Sequence, residues 1–126
     1  MRCSVLIVDD DPAFLTLAAR ILAGLGLEVG ATAPDAARAL EIVRDVRPDA
    51  MLVDVGLPDR DGIDLAHELA ELPWEPRVVL TSSDSEASVA AESRSEHRRI
   101  RFIAKAELVG DELRQALSAR PDLGSS

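Results

Sequence analysis

Cationic and aromatic side chains are scarce in this chain. Its 126 residues hold 14 Lys+Arg against 23 Asp+Glu, a formal net charge of −9 at pH 7. A surface so poor in positive charge argues against direct binding to nucleic acid or to an anionic membrane, both of which need a basic face. Tyrosine is absent, and Phe14, Trp74 and Phe102 are the whole aromatic complement, too few for a platform that stacks bases or sugars. One cysteine, Cys3, rules out an intramolecular disulfide, and with His67 and His97 as the sole histidines the donors for a structural zinc site are missing. No apolar run approaches the roughly 18 residues of a membrane span. The run Val5–Val8 leads straight into acids, which is wrong for a signal peptide. What is present is 47% apolar residues, enough for a real core in one cytoplasmic domain.

Those apolar residues alternate between short runs and stretches of helical period. Val5–Val8, Ala50–Val53 and Val78–Leu80 are apolar without alternation and read as buried strands, with a further short strand over Leu27–Thr32 and a last strand over Ile100–Ala104. Between them, Asp11-Pro12 starts a helix that carries Phe14, Leu17, Ala18, Ile21, Leu22 and Leu25 at helical spacing. Pro34 opens a second helix, Asp61 caps a third, Ser83-Asp84-Ser85-Glu86 is a capping box for a fourth, and Glu107–Ala119 makes a fifth in which Gly110 is a possible break. Five strands alternating with five helices indicate an α/β protein with a parallel sheet. Arg120–Ser126 reads as a polar tail.

In open parallel sheets ligands bind beyond the carboxyl ends of the strands. The unusual polar residues stand there: Asp9, Asp10 and Asp11 after the first strand, Asp54 after the third, Thr81 after the fourth and Lys105 after the fifth. Two carboxylates about 5 Å apart repel by roughly 3 kcal/mol at an effective dielectric of about 20, so such a cluster calls for a cation. An all-oxygen ligand set suits magnesium or manganese. A divalent ion beside Asp54, the Lys105 ammonium and the Thr81 hydroxyl are together the parts that phosphoryl transfer to a carboxylate requires. Asp11 is a helix cap and stands outside this group.

Val5-Leu6-Ile7-Val8-Asp9-Asp10-Asp11, the stretch Met51–Gly62, Val78-Val79-Leu80-Thr81-Ser82 and Phe102-Ile103-Ala104-Lys105 are similar, in this order, to the receiver domains of bacterial two-component response regulators. The resemblance implies a flavodoxin-like, doubly wound fold with strand order 2-1-3-4-5, occupying residues 1–120, with 121–126 as tail or linker. It implies that Asp54 accepts a phosphoryl group from a sensor histidine kinase or a phosphotransfer protein. Asp9, Asp10, Asp54 and the main-chain carbonyl of Gly56 would hold Mg2+ or Mn2+. Lys105 would pair with the phosphoryl group, Thr81 would move to hydrogen-bond it, and Phe102 would be the aromatic switch that follows. The output would be the face formed by the fourth helix, the fifth strand and the fifth helix. Phe102-Ile103-Ala104-Lys105-Ala106-Glu107-Leu108 looks like receivers that precede a LuxR-type effector, so a fragment of a longer DNA-binding regulator is the alternative to a stand-alone receiver, with a homodimer as a further partner.

The sequence also departs from that family. Ala106 stands where a proline usually follows the lysine, often after a cis bond, and a cis bond to alanine would cost about 3–4 kcal/mol. The charged run Ser93–Arg99 replaces a small, Gly/Ala-rich turn. Gly56 and Ser83, two residues after Asp54 and Thr81, offer no acid or amide to orient water, which predicts an acyl phosphate of moderate to long life. An aspartate-nucleophile phosphatase would need an acid at Gly56. A flavodoxin-like cofactor protein would need a hydroxyl-rich phosphate loop where Asp9-Asp10-Asp11 stands. Asp59-Arg60-Asp61-Gly62 mimics half a calcium loop but has Leu57 in place of its first carboxylate. The remaining outliers have plain expectations: His67 and His97 face solvent, Cys3 is a small residue at a strand start, Trp74 anchors a loop, and Arg94, Arg98, Arg99 and Arg101 form a solvated patch.

Overall fold

A computed structural model describes residues 3–83, 97–108 and 110–118. Five strands, β1 (Ser4–Val8), β2 (Glu28–Ala33), β3 (Ala50–Asp54), β4 (Arg77–Thr81) and β5 (Ile100–Phe102), pair in the order β2-β1-β3-β4-β5. Every pairing is parallel. Four α-helices are described: α1 (Pro12–Gly24), α2 (Ala36–Val46), α3 (Gly62–Ala70) and α4 (Gly110–Ser118). The expected α/β class and strand order are both present. The helix expected after Ser83 lies outside the described residues.

The strands explain their own sequences. Successive side chains point to opposite faces, and here both faces are covered. Leu6, Val8, Met51, Val53, Val78 and Leu80 pack against α2 and α3, whereas Val5, Ile7, Ala50, Leu52 and Val79 pack against α1 and α4. An unbroken apolar run is the consequence. All five residues of β3 are buried, as befits the middle of the sheet. Truncating one of them, such as Leu52, would leave a cavity that costs about 2–5 kcal/mol.

Aspartates start the first three helices. Asp11 accepts from Ala13 N at 3.0 Å, Asp35 from Arg38 N at 2.8 Å and Asp61 from Ile63 N at 2.8 Å, each satisfying one orphan donor of a first turn. Leu17, expected on the apolar face of α1, is 54% exposed. The stretch after β5 is not one helix. Lys105–Glu107 forms a 3-10 turn, and α4 begins at Gly110. Lys105 N donates to Ser82 O at 3.0 Å, so the turn is fastened to the end of β4. Among the described residues no peptide bond is cis, so Ala106 takes the ordinary trans form.

Candidate functional site

Strand order reverses between β1 and β3, so the chain leaves their ends in opposite directions and opens a crevice there. Asp9 and Asp10 lie on one side of it and Asp54 on the other. Asp9, Asp10 and Asp54 each offer a carboxylate oxygen, and these oxygens lie within 4.8 Å of one another. Asp9 and Asp54 are buried and Asp10 is exposed, so the cluster opens toward solvent on the Asp10 side.

Neighbouring backbone fixes each member. Asp9 N donates to Ala33 O at 3.0 Å, and Asp9 Oδ1 accepts from Asp11 N at 2.9 Å. Its other oxygen, Oδ2, is wholly buried and takes no aligned hydrogen bond; it faces Lys105 Nζ at 2.8 Å as an ion pair. The same ammonium lies 3.6 Å from Asp54 Oδ1. Asp54 closes β3 in register with Thr81 of β4, and Val55 N donates to Thr81 O at 2.9 Å. Gly62, at the start of α3, presses on the backbone of Asp54. A Cβ there would come within 2.0 Å of Asp54 O and 2.8 Å of Val55 Cα, so no other residue fits without moving the strand end. A Cβ on Gly56 would sit 3.7 Å from Asp54 Oδ2, which puts this glycine beside the carboxylate.

The electrostatics follow from crowding. Burial, and after it the charge of Asp9, lifts the Asp54 carboxyl above its ordinary range; Lys105 pulls it back down and Asp10 adds to the lift. For Lys105 burial acts against the charge, but Asp9 and Asp54 outweigh it and hold the ammonium above its usual range. Thr81 is fully buried and its Oγ1 has no hydrogen-bond partner among the described residues. An orphaned buried hydroxyl costs about 1–3 kcal/mol. Phe102 is half-buried against the cluster on the α2 and α3 side of the sheet.

Asp9, Asp10, Asp54, Thr81, Lys105 and Gly56 therefore meet at one sheet edge, with Phe102 behind them on β5. Asp59 was not expected to matter. It reaches from the loop after Asp54 to α2, where its two oxygens accept from Ala36 N at 3.0 Å and Ala37 N at 2.9 Å. These bonds hold its carboxyl below the usual range. A turn-forming aspartate and a helix-capping one look alike in sequence, and no local signal separates them.

Two expectations need correction. His97 is not simply solvent-facing, because its Nε2 lies 2.6 Å from Glu71 Oε2 and its Nδ1 accepts from Arg99 N. Arg99 does not belong to a solvated patch. Its side chain is 9% exposed, donates to Ala70 O at 3.0 Å and pairs with Glu75 at 3.5 Å. Both fasten the entry of β5 to the end of α3. Arg98 is exposed as expected, and Arg94 lies outside the described residues.

Comparison with known proteins bears on the family and the fold. The chain is 37% identical over 89 residues to the DNA-binding response regulator MtrA of Mycolicibacterium smegmatis, covering 71% of this chain and 39% of that protein. It is 30% identical over 133 residues to a protein-glutamate methylesterase/protein-glutamine glutaminase of Methylobacillus flagellatus, covering 95% of this chain and 38% of that one. The chain thus spans about two fifths of the length of either relative. Among solved structures, the signal receiver domain of a modulated diguanylate cyclase from Desulfovibrio desulfuricans G20 superposes with a TM-score of 0.77 at 26% identity, over 92% of this chain and 90% of that one. No helix among the described residues is long and apolar enough to cross a membrane. Residues 5–118 match the family model of the response regulator receiver domain, and the chain belongs to that family.

Proposed function

We propose that the domain is a phosphoacceptor switch of a two-component system. A carboxylate oxygen of Asp54 attacks the phosphorus of a phosphohistidine on a sensor histidine kinase or a phosphotransfer protein; the P–N bond breaks, its electron pair stays on the donor imidazole, an acyl phosphate forms, and the imidazole leaves neutral because its other ring nitrogen carries the proton. The observation that carries this reading is the convergence of three carboxylate oxygens within 4.8 Å beside Lys105. Like charges so arranged destabilise a fold unless a cation and a ligand use them.

The donor set is all oxygen, part buried and part open, which fits Mg2+ or Mn2+ better than a softer metal. Asp9, Asp10, Asp54 and the carbonyl of Gly56 would hold it. A bound divalent ion would neutralise the carboxylates and draw off charge on the phosphoryl oxygens. Lys105 then has a new anion within reach of its present position, and Thr81 has a hydroxyl with no partner to give up. Thr81 donating to a phosphoryl oxygen, with Phe102 following inward, would carry the change to β5, α4 and the helix expected after Ser83. Gly56 stands where an aspartate-nucleophile phosphatase has its general acid, so a signalling switch fits better than a turnover enzyme.

A second reading concerns context. The DNA-binding relative is more than twice the length covered here, which supports the same receiver working within a longer cytoplasmic transcriptional regulator.

Incubation with a phosphorylated histidine phosphotransfer protein and Mg2+ tests the proposal. Label should appear on Asp54 and be absent from Asp54→Asn and from samples with chelator. Label elsewhere, or label independent of Mg2+, would contradict it.

A further inference from the structure

The first turn of α1 brings the ring of Phe14 to Lys105. Nζ lies 4.2 Å from the ring centroid, inside the range over which an aromatic face attracts a cation. The same Nζ is 2.8 Å from Asp9 Oδ2 and 3.6 Å from Asp54 Oδ1. The ammonium is therefore held between two carboxylates and a ring. Phe14 is 9% exposed and the Lys105 side chain 18%. Water has little access to this contact, so the attraction is screened less than at an open surface.

The ring answers a mechanical problem. A lysine side chain is a flexible four-carbon stem ending in a compact charge. With carboxylates alone as partners, Lys105 could follow Asp9 and leave Asp54. A ring face limits where the ammonium can go without taking any of its charge. An aliphatic residue at position 14 would fill a similar volume but offer no negative face to the cation.

We propose that Phe14 is a positioning residue for Lys105, its ring face keeping the ammonium beside Asp54 so that the cation is in place when a phosphoryl group arrives. The inference rests on Asp54 being the phosphoacceptor. Phe14 itself touches no reacting atom.

The test compares Phe14→Leu with Phe14→Tyr in the full chain. Proton NMR of the Lys105 side chain reads the contact directly: upfield ring-current shifts should be present in the wild type and in Phe14→Tyr and lost in Phe14→Leu. Labelling of Asp54 by phosphoramidate with Mg2+ reads the consequence. Phe14→Leu should slow it about three- to tenfold, and Phe14→Tyr should stay within about twofold of the wild type. In a Lys105→Met background Phe14→Leu should add nothing, since the ring then has no cation to hold. A Phe14→Leu protein that labels at the wild-type rate, or one that slows labelling equally without Lys105, overturns the inference alone. A wild-type chain that never labels removes the phosphoacceptor reading and this inference with it.

Discussion

The two ends of the sheet are built on opposite terms. Where the strands begin, polar groups are tied to one another. Asp49 accepts from Ser4 N at 2.9 Å, Trp74 Nε1 donates to Pro48 O at 2.8 Å, and Arg47 lies over the Trp74 ring at 4.4 Å. Among the described residues Arg77 Nε is the exception at that end, buried with no hydrogen-bond partner. Where the strands end, like charges crowd together and a buried hydroxyl is orphaned. At one end polar groups are mostly satisfied by one another. The other retains groups that weaken the fold, as sites of chemistry commonly do.

Substitutions at the two ends should therefore differ in sign. Trp74→Ala removes a half-buried ring, its hydrogen bond and its cation, and should lower unfolding free energy by about 2–3 kcal/mol. Denaturant unfolding reads that loss, and Asp54 labelling should be unchanged. Thr81→Val keeps shape and deletes the orphaned hydroxyl, so it should raise stability by about 1 kcal/mol while weakening the response to phosphorylation. A Thr81→Val protein less stable than the wild type would mean that the hydroxyl is satisfied after all.

Asp59 gives a smaller effect with a pH signature. Its carboxyl is held below the ordinary range, chiefly by the two α2 amides. A depressed carboxyl contributes stability above the ordinary aspartate pKa, and that contribution is lost as pH falls through the folded value. Asp59→Asn should melt slightly below the wild type at neutral pH, and the two melting curves should converge in acid. A gap that is constant with pH would assign the effect to something other than these charge-assisted bonds.

The comparison also explains what the sequence could reveal. Asp9, Asp10, Asp54, Thr81 and Lys105 were legible because each follows an apolar run, and strand ends in a parallel sheet share one edge. Asp59 was not, because its amide partners lie 22 and 23 residues away and only the folded chain brings them together. The pairing of His97 with Glu71 spans 26 residues and was hidden for the same reason. Phe14 was read correctly as a core residue of the first helix, but its contact with Lys105 was not legible. Its spacing is that of any core residue of α1, and its neighbour Lys105 lies at the far end of the chain. The stretch Glu107–Ala119 has a helical pattern throughout, but the bond from Lys105 N to Ser82 O fastens its start as a 3-10 turn and delays the helix to Gly110.

The central claim is that the carboxylates at the strand ends burden the fold until a divalent cation meets them. Thermal unfolding of the wild type and Asp54→Asn, each with and without Mg2+, tests it most directly. Without Mg2+ the asparagine variant should melt higher than the wild type, because one like charge is gone. Mg2+ should then raise the wild type by more than it raises the variant. A variant that melts lower without Mg2+, together with equal shifts on adding the ion, would contradict the account.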